Sequence, residues 1–269
     1  MIEPLVVTRV AHSCHLIQFG GLTVLTDPWF SQKTFYYPGE PVAFQPETLP
    51  HLDAVVISHE HYDHCDLDAF RRYPDKDVPL VVAGPVVRMA RKAGFGNVRA
   101  LEPWQSTQVG DLTISAAPGQ HGVHEITYVI SGGGRSVYFA GDTLLVPELL
   151  TLTDRYGPLD LALLPVNGLR IRMAGNKQVV MNAEEAAELT AALRPTLVVP
   201  QHYAFTAGRV GDRLILKSDK DPMHFVEAAR RLAPDVLVKV IGTGEPLTVT
   251  SDPSRQTAPG DDPGAPARR

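Results

Sequence analysis

The chain has 269 residues, is 44% hydrophobic and carries 25 Lys and Arg against 30 Asp and Glu, a formal net charge of -5. That is enough to bury the core of one large α/β domain or two small ones. The missing cationic surplus removes the field that gathers phosphate backbones, so nucleic acid is not an expected partner.

Taken in chain order, residues 5–10, 16–19 and 22–26 are short apolar or β-branched runs that read as strands, the last two joined by a Gly20-Gly21 hairpin turn. Cys14 and Cys65 lie far apart without CxxC spacing. The opening Met1-Ile2-Glu3-Pro4 leads into a strand pattern with no basic segment or small-residue cleavage site of an export signal. A reducing, cytoplasmic setting is therefore expected, with at most one disulfide. Residues 54–57 form another strand, and Asp66 N-caps a helix over 67–72. A strand at 80–83 precedes a helix at 86–93 that opens on Pro85. Strands follow at 112–116, 128–130 and 137–140, the last two joined through Gly132-Gly133-Gly134. A helix at 147–156, a strand at 161–165, a helix at 183–193 capped by Asn182 and a helix at 223–232 complete the pattern. Sheets packed together with helices on their outer faces are predicted. No apolar run reaches membrane-spanning length, so no membrane insertion is expected. Residues 1–250 read as one domain, and the polar, Pro- and Gly-rich residues 251–269 as a disordered tail.

The strongest chemical signal is Ser58-His59-Glu60-His61-Tyr62-Asp63-His64, directly after an apolar strand. Imidazole and carboxylate are borderline ligands suited to zinc, manganese or iron, and four of them within six residues can serve two adjacent metals. Single candidates follow other strands beside small residues: His121 in Pro118-Gly119-Gln120-His121-Gly122, Asp142 in Phe139-Ala140-Gly141-Asp142-Thr143, and His202 in Val199-Pro200-Gln201-His202-Tyr203. Alone, each is as consistent with a turn-capping Asp or a hydrogen-bonded His. Their order is the informative feature.

That ordered pattern, an early Asp27 in Leu25-Thr26-Asp27-Pro28-Trp29, then H-x-H-x-D-H, then His, Asp and His at strand ends, resembles the metallo-β-lactamase superfamily. The resemblance spans roughly residues 5–249 and implies that superfamily's α/β fold, a four-layer αββα sandwich. It also implies that His59, His61 and His121 hold one divalent metal ion, that Asp63, His64 and His202 hold a second, and that Asp142 bridges them. Zinc is the first expectation for both ions, with manganese or iron as alternatives. Asp27 would orient a ligand histidine from outside the ligand set, or simply shape a turn before Pro28. Within the superfamily the chain is similar to L-ascorbate-6-phosphate lactonase-like hydrolases through Leu164-Pro165-Val166-Asn167-Gly168, Asn182-Ala183-Glu184-Glu185-Ala186, Val199-Pro200-Gln201-His202-Tyr203 and Asp221-Pro222-Met223-His224-Phe225-Val226. The stretch from Ile57 to His64 is also similar to N-acyl-phosphatidylethanolamine phospholipase D-type members.

The expected reaction is hydrolysis of a small-molecule substrate. Two cations lower the pKa of a shared water to create the nucleophile, with Asp63 and Asp142 holding it in line. An ester-like substrate, a lactone or phosphorylated sugar lactone, is placed ahead of a phosphodiester. Asn167, Arg170, Arg172 and Lys177 could grip a phosphate or carboxylate, or form a solvated loop. Trp29, Phe30, Phe35, Tyr36 and Tyr37 are candidate pocket walls, equally readable as a minor core anchor, and Trp29 and Tyr203 are candidate substrate contacts. His124 and Tyr203 are candidate proton donors. His12, His15, His51 and His224 lack ligand spacing and read as structural, although His12 matches a position where related hydrolases also carry His. A di-iron redox protein is disfavoured because His61 stands where such members carry Glu, and a non-catalytic metal-binding protein because no ligand is missing. The sequence is compatible with a homo-oligomer.

Overall fold

A computed structural model of the chain describes residues 4–250, so the tail expected over 251–269 lies outside the described residues. The strands of the first half are β1 (Leu5–Ala11), β2 (Cys14–Phe19), β3 (Leu22–Thr26), β4 (Ala54–Ile57), β5 (Leu80–Ala83), β6 (Val98–Leu101), β7 (Ser106–Val109) and β8 (Leu112–Pro118). Those of the second half are β9 (Ile126–Gly132), β10 (Arg135–Phe139), β11 (Leu161–Pro165), β12 (Arg170–Ile171), β13 (Lys177–Gln178), β14 (Leu197–Gln201), β15 (Leu216–Lys217), β16 (Leu237–Val238) and β17 (Pro246–Val249). The α-helices are α1 (Leu67–Phe70), α2 (Val86–Lys92), α3 (Leu152–Tyr156), α4 (Ala183–Leu193), α5 (Gly208–Leu214) and α6 (Met223–Leu232).

One sheet has the order β17-β1-β2-β3-β4-β5-β6 and the other β16-β14-β11-β10-β9-β8-β7. Their strands alternate with period two between two cores. Along β11, Leu161 and Leu163 join the core between the sheets, whereas Ala162 and Leu164 join the core beneath α4 and α6. Val137 and Phe139 against Tyr138 on β10, and Leu197 and Val199 against Val198 on β14, divide in the same way. Covered on both faces, such strands read as continuous apolar runs, which is why the sequence displays them so clearly. On the outer side of the first sheet, Phe70 of α1 and Val86 and Ala90 of α2 are buried. The result is the four-layer αββα sandwich expected from the sequence. Among the described residues no helix is long and apolar enough to cross a membrane.

The expected hairpins form, and Gly133 and Gly134 adopt φ of 57° and 73° between β9 and β10, the mirror-image turn that favours glycine. The helix expected at 147–156 splits into a 3-10 turn, Pro147–Thr151, followed by α3. Elements without a strong apolar period were not anticipated. The strands β6 and β7 have exposed positions and lie at sheet edges. Helix α5 contains Gly208 and Gly211, poor helix formers, and is anchored instead by Asp212, which accepts from the Thr206 hydroxyl at 2.6 Å and the Ala207 N–H at 2.8 Å. The strands β13, β12 and β15 form a separate small sheet in that order.

Two buried side chains tie the sheets to the loops above them. Tyr128 of β9 extends across to the other sheet, where its hydroxyl donates between the carbonyl oxygens of Ile57, at 2.8 Å, and Val81, at 3.1 Å. Ile57 is the last residue of β4, so this contact fixes the base of the loop carrying His59 to His64. His15 of β2 is wholly buried, its Nδ1 3.2 Å from the Ser13 carbonyl. Burial first, and the Arg9 charge second, push the His15 imidazole down to about 3.

Replacing Tyr128 by Phe leaves buried carbonyls short of a donor and is expected to remove about 1–2 kcal/mol. The check is a lowered urea midpoint with an unchanged slope. For His15, the unfolded chain takes up a proton near pH 6.5 that the folded protein refuses down to about 3. Its contribution is therefore complete above about pH 6.5 and is lost as the pH falls. In His15→Leu, the stability decline between about pH 7 and pH 5 is expected to be shallower by roughly 2 kcal/mol, read from denaturation midpoints at each pH.

Candidate metal centre

The proposed ligands come from loops at one edge of the two sheets. The segment His59 to His64 follows β4, His121 follows β8, Asp142 follows β10 and His202 follows β14 directly. His12 lies in the turn between β1 and β2, and Asp27 directly follows β3. Loops at the carboxyl ends of buried strands are positioned by a rigid scaffold while their side chains remain free for chemistry. Backbone strain concentrates here: His12, Asp27 and His202 hold φ of 54°, 28° and 64°. For non-glycine residues such conformations cost about 1–3 kcal/mol each and persist only where the surroundings enforce them. Gly141, at φ 55°, precedes Asp142, and a Cβ there would sit 2.5 Å from Glu125 Oε1 and 2.8 Å from Ser58 Cβ. Glycine is required at this close approach.

His59, His61 and His121 form one group. His61 Nδ1 lies 3.1 Å from His59 Nε2 and 3.1 Å from His121 Nε2. His121 Nδ1 donates to the Val179 carbonyl at 2.7 Å, so its Nε2 presents a lone pair. The Ser58 hydroxyl donates to Asp27 Oδ2 at 2.6 Å and therefore accepts from His59 Nδ1 at 2.9 Å, leaving a lone pair on His59 Nε2 as well. Three nitrogens thus converge with at most one proton among them. Burial is the first cause lowering all three imidazoles, and the neighbouring His64 adds to it for each, so they stay neutral. A cluster of neutral nitrogen donors is what a metal ion of borderline softness selects.

The second group is His12, Asp63, His64 and His202, with Asp142 against it. His64 Nδ1 donates to Asp27 Oδ2 at 2.6 Å, so Nε2 is the nitrogen that faces Asp142 Oδ2 at 3.2 Å and Asp63 Oδ2 at 3.7 Å. His202 Nε2 lies 2.8 Å from Asp142 Oδ2, and His12 Nε2 lies 3.4 Å from Asp63 Oδ2. Asp142 Oδ1, His64 Nε2 and both ring nitrogens of His12 and His202 are buried without a well-aligned hydrogen bond. Such groups are costly to bury unless something charged satisfies them. Burial alone would raise the Asp142 carboxyl, but the imidazoles of His202 and His64 outweigh it and hold it well below the usual carboxylate range. Asp63 is lowered likewise, with His64 and the nearby His12 ring outweighing burial. For His64, burial is outweighed by Asp142, Asp63 and Asp27, which together push it well above the usual histidine value. The residues therefore fit cations: carboxylates held ionised, lone pairs turned inward and no apolar filler between them.

Asp27 accepts the Ser58 backbone N–H at 2.7 Å as well as the Ser58 hydroxyl and the His64 ring, so it orients a ligand histidine and the loop that carries the others. Two participants escaped sequence reasoning. Glu125, buried at the start of β9, accepts the Asp142 N–H at 2.6 Å and lies 3.5 Å from His59 Nδ1. His12, read as structural, instead joins Asp63, His64 and His202. Its backbone N–H donates to Glu40 Oε1 at 2.7 Å, and burial followed by the His202 charge lowers its ring to about 3. Spacing cannot reveal a ligand contributed singly by a turn. The one signal was that His12 matches a position where related hydrolases also carry His.

A cavity of about 200 Å³ opens on this cluster, with His61, Asp63, His121 and Asp142 at one end. The residues expected to grip substrate do not line it. Asn167 is buried, and its Oδ1 accepts the Leu169 N–H at 3.3 Å. Arg170 donates to Gln178 Oε1 at 2.6 Å, Arg172 donates to the Leu216 carbonyl at 3.0 Å, and Lys177 is exposed. Trp29 is wholly buried, edge-on to His12 with ring centroids 4.9 Å apart. The Tyr203 hydroxyl accepts from Arg9. His124 lies 3.8 Å from Glu102, also outside the cavity lining.

The sequence model of the beta-lactamase superfamily domain matches residues 23–203. An uncharacterized protein of Mycobacterium tuberculosis is 30% identical over 222 residues, which are 74% of this chain and 58% of that protein. The chain thus spans less than two thirds of that relative's length. A UPF0173 metal-dependent hydrolase of Methanopyrus kandleri is 26% identical over 251 residues, covering 89% of this chain and 97% of its own. Among solved structures, Igni18, a metallo hydrolase from Ignicoccus hospitalis, matches with a TM-score of 0.70 at 23% identity, over 93% of this chain and 100% of that one, and so shares the fold. With a family match across most of the sandwich and over much of its metal-ligating edge, the chain belongs to the metallo-β-lactamase superfamily.

Proposed function

We propose that the protein hydrolyses a small ester-like substrate, foremost a lactone, at two divalent metal ions. His59, His61 and His121 would hold the first, Asp63, His64 and His202 the second, and Asp142 would lie between them. The observation that carries this reading is the convergence of two groups of ring nitrogens and carboxylates, the second wholly buried, beside a cavity. Zinc is the first expectation for this nitrogen and oxygen donor set, and manganese or iron is also accepted by it. Bound there, the two ions would lower the pKa of water toward neutrality and take up negative charge developing on the substrate oxygen.

The protein's own groups do the positioning. Asp63 and Asp142, kept ionised, accept hydrogen bonds from an entering water and aim it along the cavity. Asp27 and the Val179 carbonyl fix the tautomers of His64 and His121. Motifs shared with lactonase-like hydrolases support the choice of a lactone, among them the capping box of Asn182 and Glu185 that opens α4. A phosphate group elsewhere on the substrate, out of reach of the two metal ions, would call for a cation of its own along the cavity. Arg170, Arg172 and Lys177 stand off the cavity, so the proposed substrate carries no phosphate. Cys14 and Cys65 are free, buried thiols, which suits a reducing cytoplasm.

In His61→Ala, hydrolysis of a lactone panel is expected to fall at least about a hundredfold. About one of two metal equivalents should disappear by elemental analysis while the circular dichroism spectrum is retained. Full metal content with unchanged turnover would remove His61 from the ligand set. Asp27→Asn keeps the shape but weakens the hold on His64, and is expected to lower metal affinity about 10–100-fold in a chelator competition.

A further inference from the structure

The cavity beside the metal cluster has a wall whose chemistry selects what can occupy it. Opposite His61, Asp63, His121 and Asp142, the surface is formed by Leu169, Ile171, Val179, Phe205, Ile215 and Leu216. No lysine or arginine is found among the described residues lining it. The small sheet explains why. On β12 and β15, Ile171 is directly opposite Leu216, and Arg170 is directly opposite Lys217. Directly opposed residues share a face, and successive residues alternate faces. Ile171 and Leu216 therefore face the cavity, while Arg170 joins Gln178 on the other side, where the two side chains are hydrogen-bonded at 2.6 Å. The alternation that makes the wall apolar also turns Arg170 away from it, while Lys177, opposite Ile171 and so on the same face, is exposed and lies outside the cavity lining.

Apolar surface continues outward. Phe35, at φ 68° and 44% exposed, lies at the cavity margin, held by the pairing of Lys33 with Tyr36 and of Tyr37 with Thr206. Beside the wall, Met173, Val210 and Leu214 are 81%, 63% and 61% exposed, on segments joined where the Arg172 N–H donates to the Ile215 carbonyl at 2.8 Å. An apolar side chain left in water at a cavity mouth, at a strained backbone position, is a feature that a ligand can offset.

Building on the ester-hydrolase reading of the metal cluster, we infer that this cavity is an acyl-chain subsite, and that the substrate is an ester or lactone bearing an unbranched alkyl group of medium length. The ester group meets the His and Asp end, and the alkyl group lies against Ile171, Leu216, Leu169 and Val179. At about 30 Å³ for each non-hydrogen atom, a volume of about 200 Å³ holds roughly six or seven of them. Polar, phosphorylated sugars leave this wall unused and bring a charge that it does not pair.

The test uses the full chain loaded with zinc and a series of linear carboxylates from acetate to octanoate, with binding measured by calorimetry. Affinity is expected to rise about twofold to fourfold for each added methylene until the cavity is filled, and then to level off. Ile171→Asp and Leu216→Gln, both at partly exposed positions of the small sheet, are expected to flatten that rise while metal content and melting temperature stay near those of the parent. Affinity independent of chain length, no measurable binding, or tighter binding of hydroxylated or phosphorylated carboxylates than of alkyl ones of equal length would overturn the subsite. Chain-length-dependent binding without turnover on any ester or lactone of matching length would uphold the subsite and sink the hydrolytic reading of its substrate instead.

Discussion

Everything at the strand edge is organised by one electrostatic demand: ionised carboxylates and imidazoles are brought together, with carboxylate oxygens and untied ring nitrogens turned inward. Left alone, that arrangement would cost several kcal/mol in desolvation and mutual repulsion. Each outward-facing ring nitrogen that is tied down serves it. Val179 holds His121, Asp27 holds His64 and Ser58 holds His59, and in each case the free nitrogen is the one directed at the centre. A proton can meet part of the demand, as the raised value of His64 indicates, and a divalent ion meets more of it. The group is thus prepared for cations before any arrive, which spares reorganisation when they bind.

The sandwich exists to make that prearrangement affordable. Strands buried on both faces leave little freedom at their carboxyl ends, and positive φ at His12, Asp27 and His202 is sustained by that rigidity. Tyr128 hydrogen-bonds from one sheet to the base of the loop on the other, so the two halves of the ligand set are held in one frame. Glu125 performs a comparable task for Asp142 and reaches toward His59. The removal of a single methyl group's worth of volume at Gly141 is what lets that carboxylate approach.

The legible parts of this molecule were those in which neighbours in sequence are neighbours in space. The H-x-H-x-D-H loop lies within six residues, the cap of α4 within four, and the buried strands announce themselves as apolar runs bounded by turns. His12 and Glu125 were illegible because each enters the site alone, from a turn and from a strand start, and nothing local separates them from ordinary buried polar residues. The cationic stretch Arg170, Arg172 and Lys177 was legible as charge but not as direction. A two-residue strand is too short to display its alternation in the sequence, so only its pairing with β15 reveals that Ile171, and not Arg170, faces the cavity. Helix α5 was hidden for another reason: its glycines argue against a helix, and a tertiary anchor at Asp212 overrides them.

The pairing of β1 with β17, Leu5 opposite Val249, joins the two ends of the described chain in one sheet, while the ligands are scattered between them. A polypeptide emerging from the ribosome can set the triad of His59, His61 and His121 only after Val179, whose carbonyl holds His121, has also been made. It cannot complete the second group until β14 settles beside β11 and presents His202. Long-range pairings of this kind form late and slowly. Assembly therefore has a built-in order, in which His202 is the last of these side chains to arrive at the strand edge.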